Sequence, residues 1–420
     1  MNSRERVRKS IHHQKVDHIP LDLGSTMVTG IHASTYAQLR EALGLKKDFI
    51  KIIDPFQMLA EVELEVIEKL GVDTIGLWLP TNAFGFNNEN WKPWNLFDGT
   101  PVLVPEKFYT RKDKEGNLYI FPQGDKSVQP CAKMPRDGYY FDLLIRQEEP
   151  FNKKNLNPEE WVKQQYSILS EETLTYLEKK ADELYKNTNL SIIGGFLEAS
   201  FGDISHVPGP AIKRPKGIRD PIKWITAHLE YPEYIKGIFE LQCEIVLKNL
   251  QLSYQAVGNK IDVIYVSGAD FGTQNGPFIS PDMYREFYQP FHRRINDWIH
   301  KNTSWSTFFH SCGSITAFLD DFIAAGVDIL NPVQTSAKDM DPKMLKEKYG
   351  NKLVFWGGGV DTQRTLPFGT PEEVRREVIE RCKIFGKGGG YVFNTIHNIQ
   401  AKVPIENLLI MFQSWKEFKF

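Results

Sequence analysis

The chain has 420 residues, 51 Lys+Arg against 53 Asp+Glu, a net charge of −2 and a 41% hydrophobic share, which is the composition of an ordinary globular protein. Near-neutral charge excludes a broad electrostatic grip on DNA or RNA, since that needs a basic face to displace counterions. The basic start MNSRERVRKSIHHQ is followed by no apolar stretch, no run of about 18 apolar residues occurs, and the cysteines (Cys131, Cys243, Cys312, Cys382) are too sparse for a disulfide framework. The expectation is a cytoplasmic protein with no membrane partner.

Short β-rich runs alternate with amphipathic stretches, the rhythm of βα units around a parallel sheet. Eight strands are predicted: 18–24 (HIPLDLG), 74–79 (TIGLWL), 191–196 (SIIGGF), 263–270 (VIYVSGAD), 306–313 (STFFHSCG), 328–334 (DILNPVQ), 353–360 (LVFWGGGV) and 391–398 (YVFNTIHN). Helical spacing covers 55–70, 281–301, 315–325, 342–349, 371–385 and 404–418. Ser280-Pro281, Asp341-Pro342 and Thr370-Pro371 each join a capping side chain to a proline at the first helical position. The predicted fold is α/β, a (β/α)8 TIM barrel with an N-terminal helical segment and an insertion after strand 2. That insertion, 81–190, carries hairpin-like pieces with a turn at Glu115-Gly116-Asn117 and a helical stretch at 157–186. A loop this long calls for a role. It is read as a cap within one barrel domain spanning 1–420, a separately folded domain being the alternative.

The sharpest local feature is Phe309-His310-Ser311-Cys312-Gly313. Residues two apart in extended chain point to the same side, so His310 and Cys312 face together at the end of the fifth predicted strand. Imidazole nitrogen and thiolate sulfur both bind zinc, and catalytic zinc sites use three protein ligands with one position open. A lone pair of this kind also fits a buried cysteine beside a structural histidine. The barrel map places it at the catalytic end and calls for a third ligand from another strand, for which His397 at the end of the eighth strand is the candidate. Other polar residues fall at strand ends in the same way. Glu198, Asp270 and Asp361 are candidate catalytic carboxylates, and Asn331, Gln334 and Gln274 are candidate substrate-binding residues. Each also has a plain reading as a cap or turn former. The run Gly386-Lys387-Gly388-Gly389-Gly390 lacks a phosphate-loop pattern and reads as a helix-to-strand turn.

The segments RERVRKSIHHQKVDHIPLDLG, GADFGTQNGPFISPDMYREFYQPFHRRI, HSCG, DILNPVQ and GGGYVFNTIHNIQAKVPIENL together resemble the uroporphyrinogen decarboxylase superfamily over nearly the whole chain outside the insertion. Within it, the sequence is more similar to the zinc-dependent, corrinoid-linked methyltransferases than to the haem-pathway decarboxylases. The resemblance implies a barrel fold, a Zn2+ ion held by an H-x-C pair and a later cysteine, and a partner protein carrying a corrinoid (methylcobalamin). His310 and Cys312 match the pair. Counting back from Pro404, the later cysteine falls on His397, which exchanges thiolate for imidazole and leaves the metal more Lewis acidic. The decarboxylases hold a tetracarboxylate with an arginine-rich segment after the first strand. Here that place reads Leu23-Gly24-Ser25-Thr26-Met27-Val28-Thr29-Gly30, without an arginine to pair with it.

The resemblance thus leads to a methyltransferase moving a methyl group between a small substrate (methyl ether, methanol or thiol) and a corrinoid protein. Its rivals are a metal-free uroporphyrinogen decarboxylase-like lyase, in which Asp270 or a nearby carboxylate protonates a substrate carbon, and a non-catalytic corrinoid or tetrapyrrole carrier. The insertion would roof the cavity or dock the corrinoid domain, and a homodimer is the default for a soluble enzyme.

Overall fold

The structure, a computed structural model, describes residues 1–46, 49–147 and 156–420. Seven parallel strands lie side by side in chain order: Thr74–Trp78, Ser191–Gly195, Val263–Ser267, Ser306–His310, Ile329–Asn331, Val354–Trp356 and Tyr391–Val392. The first predicted strand, 18–24, closes the ring without becoming a regular strand. Leu21 makes a parallel bridge to Phe393, Asp22 N–H donates to Phe393 O (2.9 Å), and Asp73 N–H donates to Leu21 O (2.8 Å). Pro20 has no N–H to extend that ladder, so the eighth stave is a single bridge joining both edges of the sheet. The fold is an α/β barrel of the TIM type.

Alternation along the strands separates two apolar layers. Phe309, Leu330, Phe355 and Tyr391 face the helices, whereas Phe308, Ile329, Val354, Trp356 and Val392 fill the barrel. The N-terminal helix Ser3–Ile11 plugs one end by adding Val7 and Ile11 to the inner layer. Arg6 and Arg8 pair with Asp73 and Asp262, the residues just before two strands, at 2.5 and 2.6 Å. The plug therefore sits at the strands' N-terminal ends and leaves the other mouth for chemistry.

The helices at Pro342–Tyr349 and Pro371–Phe385 stand where their Asp-Pro and Thr-Pro signals put them, with Asp341 and Thr370 accepting from Met344 N and Glu373 N. The predicted helix 281–301 is two, Pro281–Phe287 and Gln289–Asn302. Pro290, lacking an N–H and crowding the preceding turn, accounts for the break. The stretch 157–186 is likewise two helices, Pro158–Lys163 and Glu171–Asn187. The larger correction falls at 55–70, where only Leu64–Leu70 is helical. Residues before it form a hairpin, Ile50–Asp54 against Leu59–Ala60, whose turn begins where Asp54 Oδ1 accepts Phe56 N–H (2.9 Å). The apolar run of this hairpin imitates a helical face because Met58, Leu59 and Ala60 are all buried.

That hairpin pairs with Pro101–Val104, itself beside Lys92–Asn95, giving one small sheet. A second, antiparallel sheet runs through Thr110–Lys112, Leu118–Ile120, Ala132–Met134 and Asp142–Leu143, with Gly116 at φ +95° turning its first hairpin. Residues from 81–190 thus share a sheet with residues that precede the Thr74–Trp78 strand. Phe84 packs edge-on to Phe56 and Phe141, tying both pieces together.

Candidate metal centre at the barrel mouth

His310 ends its strand, and Cys312 follows after one residue. His397 arrives from the loop after the last strand. One ligand atom from each of these three lies within 4.8 Å of the others, and among the described residues this is the group that can hold a metal ion. His310 Nε2 and Cys312 Sγ are 3.3 Å apart, and the two imidazoles meet edge to face at 5.1 Å. His310 and Cys312 come together because an extended strand end repeats every two residues. His397 joins them because ring closure turns the loop after the last strand toward the end of Ser306–His310.

Each of the three is held from behind. Asn331 Nδ2 donates to Trp356 O (2.8 Å), which fixes the amide and aims Oδ1 at His310 Nδ1, 2.6 Å away. His310 Nδ1 therefore carries the proton, and the Nε2 lone pair faces the cluster. Cys312 N–H donates to Asp270 Oδ1 (2.7 Å), and Gly313 N–H donates to Gln334 Oε1 (2.8 Å). Gln334 Nε2 continues to Gln274 Oε1 (2.5 Å), and Gln274 Nε2 to Gln363 Oε1 (2.9 Å), a chain of amides across three loops. Gly313 and Gly272 pack backbone to backbone, where no side chain fits. His397 sits at φ +69°, a left-handed conformation that costs a non-glycine residue on the order of 1 kcal/mol. Its Nδ1 accepts the Asn398 N–H at 2.8 Å, which puts the proton of the neutral ring on Nε2.

Burial sets the protonation states. It pushes His310 down to about 4 and His397 down to about 3, so both rings are neutral at pH 7; the His310 lone pair at Nε2 faces the cluster, while that of His397 at Nδ1 is taken up by the Asn398 N–H. Desolvation raises the Cys312 thiol well above its usual range, with the charge of Asp270 adding to it. A thiol so placed ionises only against a compensating cation. Asp270 Oδ1 stands 3.8 Å from His310 Nε2. Its carboxyl is pushed up to about 6, mainly by desolvation and in part by Asp203, while the Cys312 N–H works against the rise. Since 41% of the Asp270 side chain stays accessible, the desolvation is that of a recess rather than a sealed core.

The structure gathers His310, Cys312, His397 and Asp270 at one point, with Asn331, Gln334 and Gln274 behind them. Asn331 is fully buried and spends its amide on His310 and Trp356. Glu198 is not brought into this group. Its carboxyl is raised by desolvation, and the charge opposing that rise is His206. Asp361 accepts Gln363 N–H at 2.7 Å and so forms a turn, its plain reading.

Several residues were overlooked. The charge of Asp203 acts on Asp270, His310, Cys312 and Tyr265. Tyr265 points inward from its strand, stacks on Phe308 at 5.5 Å, and lies under Gly268, where any side chain would strike its hydroxyl. Strand alternation carried the signal for Tyr265. Trp78 lies across Gly76 and Gly195, whose missing side chains make its space. Deeper still, Asp22 is 1% exposed and accepts from Thr74 Oγ1 (2.7 Å) and Trp356 Nε1 (2.8 Å).

An α/β barrel whose C-terminal mouth holds a His, Cys and His cluster, each ligand braced from behind, defines a class of metal-competent barrel proteins. Comparison narrows the class. The uroporphyrinogen decarboxylase (URO-D) family model matches residues 173–418, more than half of the chain, and the chain belongs to that family. It is 37% identical over 68 residues to a uroporphyrinogen decarboxylase of Psychromonas ingrahamii, covering 16% of this chain and 18% of that one. With a uroporphyrinogen decarboxylase of Pseudoalteromonas translucida it shares 27% over 147 residues, covering 34% and 39%. With a methylated-thiol–coenzyme M methyltransferase of Methanosarcina mazei it shares 28% over 143 residues, covering 33% and 34%. The chain thus spans well under half the length of these curated relatives. A solved structure titled methyltransferase from Methanosarcina mazei matches 100% of this chain and 99% of its own, at TM-score 0.55 and 15% identity, which is a likeness of fold. Among the described residues, no helix is long and apolar enough to cross a membrane.

Proposed function

We propose that this protein is a zinc-dependent methyltransferase that moves a methyl group between the oxygen or sulfur of a small substrate and a corrinoid carried by a separate protein. The observation that carries this reading is the convergence of His310, Cys312 and His397 at the open end of the barrel. Two imidazoles and a thiolate form a donor set suited to catalytic zinc with one position free, His397 joining it by moving its proton from Nε2 to Nδ1 and giving up the Asn398 N–H bond. Bond lengths of about 2.1 and 2.3 Å at a tetrahedral angle separate nitrogen and sulfur by about 3.6 Å, and His310 Nε2 and Cys312 Sγ stand at 3.3 Å. Bound there, zinc would supply Lewis acidity toward a thiol or toward the oxygen of a methyl ether or methanol.

The chain's own residues do the rest. Asn331 keeps His310 in the tautomer that presents Nε2. Asp270, with its carboxyl near 6, would exchange a proton with a substrate hydroxyl or thiol close to neutral pH. Gln334, held by Gln274, fixes the Cys312 loop through the Gly313 N–H and with Gln274 would offer a substrate-binding wall, and Tyr265 would add aromatic surface beside Asp270 and Cys312. The segment 81–190 would cap the mouth and meet the corrinoid partner. The methyltransferase among the relatives supports this choice within the family.

A metal-free lyase is the second reading, favoured by the raised Asp270 carboxyl and by the names of two relatives. Metal analysis combined with methyl transfer to or from free cobalamin separates the two. Methyltransferase function requires about one zinc per chain after reconstitution, lost in His310→Ala and Cys312→Ala. A parent protein that takes up no zinc, or variants with unchanged metal content, would overturn it. Carbon dioxide release that persists in chelator would establish the lyase.

A further inference from the structure

His397 reaches the cluster from a strained backbone, and what holds that backbone comes from outside the barrel. Asn398, fully buried, uses its whole amide: Oδ1 accepts Gly30 N–H (2.5 Å), and Nδ2 donates to Met27 O (2.9 Å) and to Gln57 Oε1 (2.8 Å). Gln57 Nε2 in turn donates to Asp54 Oδ2 (2.9 Å) and Met27 O (3.1 Å). Asp54 is 4% exposed, and its other oxygen accepts Phe56 N–H.

The order of donors and acceptors in this chain is directional. Both Asp54 oxygens accept, Oδ1 from Phe56 N–H and Oδ2 from Gln57 Nε2, so Gln57 turns Nε2 toward Asp54 and Oε1 toward Asn398. Asn398 then has to present Nδ2 to Gln57 and Oδ1 to Gly30. That pins the residue next to His397 in the chain, and with it the His397 backbone at φ +69°, a conformation the chain would otherwise relax. Asp54 and Gln57 belong to the Ile50–Asp54 and Leu59–Ala60 hairpin, which shares its sheet with Pro101–Val104 and precedes the family-matched region 173–418.

We propose that Asp54 and Gln57 are positioning residues for the third metal ligand: an Asp54–Gln57–Asn398 relay that ties His397 to the small sheet outside the barrel and sets the affinity of the metal centre. This rests on the zinc reading above. It makes the hairpin, a piece with no ligand of its own, part of the metal site.

The test is the zinc dissociation constant, by chelator competition, of the parent, Asp54→Asn, Gln57→Leu and the double variant, with circular dichroism to certify folding. Asp54→Asn is nearly isosteric but adds a donor, which invites the Gln57 amide to flip and set Nε2 against Asn398 Nδ2. Each single variant is expected to weaken zinc by about 10–100-fold. The double variant is expected to be no weaker than the worse single, because one relay is broken only once. In Co(II)-substituted protein, the thiolate charge-transfer band from Cys312 should persist while the d–d bands change as His397 is displaced. Affinities within twofold of the parent, or effects that multiply, overturn the relay. If Gln57→Leu does not fold, Asp54→Asn decides by the same affinity and spectrum. A parent that binds no zinc removes the proposed function and the relay together, whereas a zinc-binding parent with unaffected variants removes only the relay.

Discussion

Replacing Asn331 separates the orientation of His310 from the stability of the barrel. In Asn331→Leu the volume is kept, but two buried groups lose their partners: His310 Nδ1–H, bonded at 2.6 Å, and Trp356 O, bonded at 2.8 Å. Each orphaned group costs about 1–3 kcal/mol, so unfolding in urea should be easier by about 2–6 kcal/mol. Loss of the orienting acceptor frees the His310 tautomer and should weaken zinc about 10–100-fold, which is about 1.4–2.7 kcal/mol. Asn331→Asp divides these effects. Its carboxylate still accepts from His310 and strengthens that ligand, while its second oxygen confronts Trp356 O, so stability should fall by about 1–3 kcal/mol with zinc affinity retained. Chelator competition and urea titration on the same samples give both numbers. Equal zinc affinity in folded Leu and Asp variants would refute the assignment of Asn331 as the residue that aims His310.

Other consequences are simpler to measure. Gly195→Ala places a methyl group where the Trp78 indole lies, and should cost about 1–3 kcal/mol in urea unfolding unless Trp78→Leu is made with it; equal losses with and without the second change would contradict the packing. Trp356→Phe takes one donor from the buried Asp22 carboxyl and should destabilise by about 1–3 kcal/mol, while the metal content stays as in the parent. His292 is fully buried and pushed down to about 3 by desolvation. The unfolded chain protonates this histidine near 6.5 and the folded chain does not, so between about pH 6.5 and 3 the residue makes the fold lose about 1.4 kcal/mol per pH unit as pH falls. His292→Phe should flatten the stability–pH curve by that slope over that window, and parallel curves would refute it.

Legibility followed the range of the forces involved. The barrel rhythm, the capped helix starts at Pro342 and Pro371, and the His310–Cys312 pair depend on neighbours within a few residues, and they stand where local pattern put them. The break before Gln289–Asn302 was legible too, had Pro290 been given its full weight against a strong apolar period. The hairpin at 50–60 was not legible, because Met58, Leu59 and Ala60 bond back to residues 31–33, more than twenty residues earlier, while its other strand pairs with Pro101–Val104 some fifty residues later. Asn331 was read as a substrate contact and Asp54 not at all, for the same reason: hydrogen-bond partners at long separation carry no local signature.

The amino-acid order alone therefore determined the α/β barrel, its N-terminal helical segment and a thiol beside an imidazole at one strand's end, since periodicity and two-residue spacing act on the extended chain directly. Only the tertiary structure decided which nitrogen each histidine presents, that Asp270 stands beside the cluster while Glu198 does not, and that a hairpin outside the barrel braces His397. Those outcomes depend on ring closure, which brings residues 22 and 331 to Trp356 and residue 57 to residue 398, and on burial, which obliges donors brought there to find acceptors.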